Sequence, residues 1–144
     1  MQLSVSEILD KAAKMKTREE KVQWLKKNEA KAVKTVLKAM YDPTLICLLP
    51  EGVPPYKPSD FVDDQGMLFS NSRRIPYFYE GAGTNVKPVK RESIFIELLE
   101  TVNKDDALLL IDMKDKKRIK GLTVKTINQA FPNLITEDSK SNDG

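Results

Sequence analysis

Thr17-Arg-Glu-Glu-Lys-Val-Gln-Trp-Leu-Lys-Lys-Asn-Glu-Ala-Lys-Ala-Val-Lys-Thr-Val-Leu-Lys-Ala-Met-Tyr41 reads as two helices placed end to end, and it decides the fold class. Thr17 and Glu20 have the spacing of a capping box, in which the hydroxyl serves the backbone N–H three residues on and the carboxylate reaches back. The helix opened there runs through Val22, Trp24 and Leu25 to about Asn28. A second, from Glu29 to about Tyr41, sets Ala32, Val33, Val36, Leu37 and Met40 on one stripe and Lys31, Lys34 and Lys38 on another. That is the 3.6-residue period of an amphipathic helix.

The same period extends in both directions. Residues 4–14 place Val5, Ile8, Leu9 and Ala12 on one face behind possible serine caps. Lys90 to Val102 repeats the pattern through Ile94, Phe95, Leu98 and Leu99. Asn103 can cap a further helix with an acidic first turn, Lys104-Asp-Asp106, and apolar residues Ala107, Leu108, Leu110 and Ile111. Thr123 caps a last helix through Ile127 and Ala130 to Phe131, stopped by Pro132.

The centre reads differently. Asp42-Pro43 should end the second long helix, with one more buried turn possible at 44–49. Pro50, Pro54, Pro55, Pro58, Pro76 and Pro88, with four glycines, then mark about forty residues poor in regular structure. Within them Ser59-Asp-Phe-Val-Asp63 suggests a helical turn, Arg73 to Tyr79 an extended segment and Gly81-Ala-Gly83 a flexible turn. The expected architecture is all-α, a compact bundle of five to seven helices with a long Pro-rich central crossover. Residues 1–138 form one domain, 51–89 an irregular Pro/Gly-rich insertion, and 139–144 a disordered tail.

Composition narrows the chemistry. The chain has 144 residues, 40% of them hydrophobic and 31% charged, the balance of a one-domain globular protein. No apolar run approaches the roughly 18 residues of a membrane span, and Met1-Gln-Leu-Ser-Val-Ser6 lacks the pattern of a signal peptide, so the expectation is cytoplasmic with no membrane partner. There is no histidine and a single cysteine, Cys47, inside Leu45-Ile-Cys-Leu-Leu49. Ser-His and Cys-His catalysis are thereby excluded, Cys47 reads as a buried thiol, and neither a metal site nor a cofactor is expected. Asp63-Asp64 and Asp105-Asp106 lack a third oxygen ligand at calcium-loop spacing and read as loop or helix-start residues.

The net charge of +3 conceals a partition. Residues 1–41 carry ten cations against five acids, and 114–125 six against one, so each segment is +5. Residues 42–113 carry seven against twelve, or −5, and the remainder is −2. Two basic segments of this kind could converge on one polyanion, although ordinary solvated helix faces account for the same count. Within the second segment, Lys116, Lys117, Arg118 and Lys120 precede Gly121 and the Thr123 cap, with Lys125 just beyond. A helix N-terminus beside cations suits a phosphate, and glycine would let the backbone approach it. Gly121 as a mere helix C-cap among solubilising lysines is the competing explanation. Arg73, Arg74, Tyr77 and Tyr79 could similarly stack on bases and bind their phosphates, or the aromatics could cover a core edge.

Two blocks resemble the N-terminal helical DNA-binding domain of ATP-dependent DNA ligases, most closely its small form in T-even phages. One is Lys21-Val-Gln-Trp-Leu-Lys-Lys-Asn28 with the helix Ala32 to Tyr41 and its continuation to Leu49-Pro50. The other runs from Ile96-Glu-Leu-Leu-Glu100 through Lys104-Asp-Asp106 to Asp112, then across Gly121 to Ile127-Asn-Gln-Ala-Phe-Pro-Asn-Leu-Ile135. Residues 51–89 do not match. The resemblance implies a phage-type module gripping the backbone of double-stranded DNA with low sequence specificity, in replication, repair or transcription. Carried over by position, Lys117, Arg118, Lys120, Gly121, Thr123 and Lys125 would be its phosphate contacts.

A ligase also needs Lys-X-Asp-Gly for adenylation. Lys140-Ser-Asn-Asp-Gly144 has one residue too many, so the expectation is a non-catalytic protein. The rival expectation is a protein-interaction module, inhibitor or adaptor on a ligase-like scaffold. It would bind a replication protein, a transcription protein or a host factor through 51–89, with Phe61, Phe69, Tyr77, Phe78 and Tyr79 as anchors.

Overall fold

The computed structural model describes residues 3–58 and 67–136. Among the described residues are seven α-helices, one 3-10 helix and no strand, so the protein is all-α. The helices are α1 (Val5–Lys14), α2 (Arg18–Lys27), α3 (Lys31–Tyr41), α4 (Met67–Asn71), α5 (Pro88–Thr101), α6 (Lys104–Lys114) and α7 (Val124–Ala130), with the 3-10 helix at Ser72–Phe78. The expected turn at 59–63, Phe61, Asp63-Asp64 and the tail 139–144 lie outside the described residues.

Local chemistry explains where the helices begin. Ser4 with Glu7 and Thr17 with Glu20 both form complete capping boxes. Asn103 accepts the Asp106 N–H at 2.8 Å, and Thr123 accepts that of Thr126 at 3.2 Å. α5 starts at Pro88, two residues before the periodic pattern suggests, because proline's fixed φ and missing N–H suit the first helical position. α3 starts at Lys31 rather than Glu29, behind Ala30, which has no side chain to cap it.

The core is built around α3, which buries Ala32, Val33, Val36, Leu37, Ala39, Met40 and Tyr41. It packs against α1, α4, α6 and the 3-10 helix. Burial at roughly 25 cal/mol per Å² of apolar surface is the main force holding these elements together. Two polar ties fix α1. The Trp24 indole N–H donates to the Ile8 carbonyl at 2.9 Å, and the buried Asp106 carboxylate accepts the Ser6 N–H at 2.8 Å. Asp106 thus serves helix packing and is expensive to ionise there, since burial pushes its carboxyl upward.

The central segment is more ordered than its composition suggests. Leu68, Ile75, Phe78 and Tyr79 are core residues, and Phe78 meets Phe95 edge to face at 5.1 Å between ring centroids. Residues 73–78 are not extended, though Tyr79 is: the 3-10 helix turns Ile75 and Phe78 inward and leaves Arg73, Pro76 and Tyr77 at the surface. Among the described residues the one extended pairing is a bridge between Cys47 and Tyr79, with Leu48 N–H donating to Phe78 O and Glu80 N–H to Ile46 O. It replaces the extra helical turn expected at 44–49.

Gly81 to Gly83 lie in a turn, where Gly83 is packed closely against backbone. A Cβ there would lie 2.1 Å from the Tyr77 carbonyl oxygen. The turn is clamped further by the buried Arg91, which donates to the carbonyls of Gly83 and Val86 at 2.9 and 2.7 Å.

Candidate nucleic-acid interface

The loop joining α6 to α7 carries most of the residues singled out above. α6 ends without a glycine: Lys116 itself takes the left-handed conformation at φ 58°. Its N–H bonds Met113 O at 3.1 Å, and that of Lys117 bonds Asp112 O at 2.8 Å, which is the Schellman pattern. Gly121, five residues on, is therefore not the helix C-cap. Its φ of 102° and its place against α1 explain it instead, because a Cβ would stand 2.5 Å from the Ala13 carbonyl oxygen. The Gly121 carbonyl in turn accepts the Lys21 ammonium of α2 at 2.5 Å.

Tyr41 anchors the middle of the loop. Its buried hydroxyl donates to Leu122 O at 2.8 Å and accepts the Ile119 N–H at 3.0 Å. Burial raises its pKa to about 12, so the phenol keeps its proton. The Arg118 guanidinium lies 5.2 Å from the centre of the same ring, with an Nη atom 3.4 Å from the Tyr41 carbonyl oxygen.

The loop's cations divide into two groups. Lys114, nearly buried, contacts Asp115 at 2.5 Å and donates to Pro50 O at 2.8 Å. Lys116 reaches the end of α3, donating to Ala39 O and Asp42 O at 2.7 and 2.8 Å and lying over the Tyr79 ring. Its ammonium thus satisfies helix-end carbonyls, and burial lowers its pKa. By contrast, Lys117, Lys120 and Lys125 are exposed, and among the described residues no carboxylate lies within 4 Å of their ammonium groups.

Thr123 is an ordinary cap. Its hydroxyl already accepts the Thr126 N–H, and α7 has only seven residues, so the helix end itself offers little to an anion. The positive field of this region comes from side chains. Lys16, also exposed and without a described ion pair, follows the α1 end that Gly121 touches, and Lys21 joins from α2. Lys16 and Lys21 were absent from the motif reading of the loop. Their sequence signal is the positive charge of residues 1–41, with Lys21 also opening the first ligase-like block.

The second candidate cluster is split. Tyr79 is 3% exposed and its hydroxyl points to Met113 O at 3.5 Å, so of the two readings offered for the aromatics its ring takes the core one. Phe78 is likewise core, and Phe69 packs half-buried against it. Arg74 pairs with Glu97 at 3.4 Å, while Arg73 and Tyr77 remain at the surface. Cys47 is half-buried, and burial raises its thiol pKa, against any nucleophilic use. Among the described residues no group of three His, Cys, Asp or Glu side chains could hold a metal ion, and no helix is long and apolar enough to cross a membrane.

A family model matches residues 8–120, from α1 through the exposed lysines Lys117 and Lys120. The chain belongs to DUF6433. This is a family of unknown function, and its match stops before Gly121 and α7. No curated protein and no solved structure matches the chain.

Proposed function

We propose that this DUF6433 protein binds the backbone of double-stranded DNA with low sequence specificity and without catalysis. The observation that carries the reading is the meeting of the two basic segments. Lys21 of the first donates to Gly121 of the second across a hundred residues of sequence, and the exposed Lys117, Lys120 and Lys125 lie within four residues of Gly121 along the chain, with exposed Lys16 just past the end of α1. Lysines act as point charges toward phosphate, whereas base readout favours Arg, Asn or Gln in a groove. The resemblance to ligase DNA-binding domains supports the same reading, including action in replication, repair or transcription.

The test is retention of duplex DNA over a salt series. The expected log-log slope is about −0.9 for each phosphate contacted. A slope near zero, or no retention at low salt, would sink the proposal. Nicked, intact and single-stranded DNA in the same series separate nick recognition from general backbone affinity.

A second reading, docking of a replication, transcription or host protein on the 51–89 region, is favoured by one observation. The Pro-rich residues 49–55 stand off α5 and leave a partly apolar groove beside Phe95 and Ile96.

A further inference from the structure

We propose that this groove takes a protein segment presenting an apolar anchor flanked by Lys or Arg. The proposal rests on the second reading above and is independent of the DNA-binding one. The groove measures about 300 Å³. That is the small end of ligand clefts, suited to one or two anchor side chains. Leu49, Phe95 and Ile96 line it, and Val53 at its edge is 71% exposed. On α5, Val89, Glu92 and Ile96 follow one another at helical spacing on a single stripe, and Val89 is 79% exposed.

The polar character of the rim selects the partner's charge. Glu51 and Glu92 are both exposed, and among the described residues neither has an ion-pair partner. Lys114, the only cation among the described residues lining the groove, is committed to Asp115 and the Pro50 carbonyl. The strap offers few donors, because Pro50, Pro54 and Pro55 have no N–H and that of Gly52 faces Asp115 at 3.4 Å. What remains is carboxylates and carbonyls around an apolar floor, which complements a donor-rich, cationic segment.

The strap is also pre-organised. Lys114 holds it at Pro50, and the Lys57 N–H holds it to the Glu100 carboxylate at 2.7 Å. Prolines between these ties leave little backbone freedom for a partner to freeze.

The test titrates the full chain with two synthetic peptides, one carrying tryptophan flanked by lysines and one by glutamates, and follows backbone amide shifts. The lysine peptide should give saturable shifts at Val53, Glu92 and Ile96. Glu51→Lys with Glu92→Lys, both at exposed positions, should weaken it about tenfold or more and reverse the preference toward the glutamate peptide. Equal affinity for the two peptides, shifts centred elsewhere, or no binding would overturn the proposal. Retention of duplex DNA by Glu51→Gln with Glu92→Gln, measured in parallel, reports on the DNA-binding reading alone.

Discussion

Gly121 meets Ala13 backbone to backbone: a Cβ on the glycine would lie 2.5 Å from the alanine carbonyl oxygen. This contact seats the basic loop against the end of α1. Gly121→Ala would combine a left-handed residue, costing about 1–3 kcal/mol, with a clash against backbone that cannot rotate away. The variant should lose about 2 kcal/mol or more, read as a lower urea midpoint at unchanged m. A midpoint equal to wild type would show that the close approach is not maintained in solution.

Tyr41 ties the loop to α3 from below. In Tyr41→Phe the ring still fills its space, but the Ile119 N–H and the Leu122 carbonyl lose their shared partner. Leaving such groups unsatisfied costs about 1–3 kcal/mol. Hydrogen exchange at the Ile119 amide should quicken more than exchange within α3 itself, and uniform protection would count against the anchoring role.

Reversing the charge of Lys117, Lys120 and Lys125 together to Glu should abolish duplex DNA retention at moderate salt and leave the helical circular dichroism and unfolding midpoint near wild type. All three side chains are exposed and outside the described ion pairs. Lys116→Met provides the contrast. It should lower stability by about 1–3 kcal/mol, by removing charged hydrogen bonds to α3 carbonyls, and leave the salt slope unchanged. If Lys116→Met flattened the slope as much as the triple variant, the division of the loop cations proposed here would be wrong.

Asp42 should govern part of the acid sensitivity. Burial by itself would raise its pKa, but hydrogen bonds from Lys38, Thr44 and the Thr136 N–H outweigh this and hold the carboxylate well below its ordinary range. A folded pKa below the unfolded value means stability that is present above about pH 4 and is lost as pH falls further. Asp42→Asn should therefore be less stable than wild type at neutral pH, with the difference shrinking below about pH 4. Urea midpoints across an acid series would settle it, and a constant gap at all pH values would refute the assignment.

Much of the fold was legible in local signals. Thr17 with Glu20, Asn103, Thr123 and the apolar stripe of α3 act within one or two turns of chain, so spacing alone located those helices. The candidate site was only half legible. Lys117, Lys120 and Lys125 are where their charge suggested, at the surface, but the carbonyl partners of Lys116 and the inward placement of Tyr79 depend on neighbours dozens of residues away. The same applies to 67–78, where short helices are stabilised by packing Leu68, Ile75 and Phe78 rather than by any periodic pattern long enough to detect.

By itself, then, the sequence determined an all-α chain with capped helices, no histidine chemistry and two cationic segments. Tertiary structure alone decided that those segments meet, which lysines are consumed at helix ends and which face solvent, and that a proline strap leaves a groove over α5. The physical reason is range. Caps and hydrophobic periods are set by residues three or four apart, while the partner of a buried ammonium or a glycine's missing Cβ is set by the packing of distant elements.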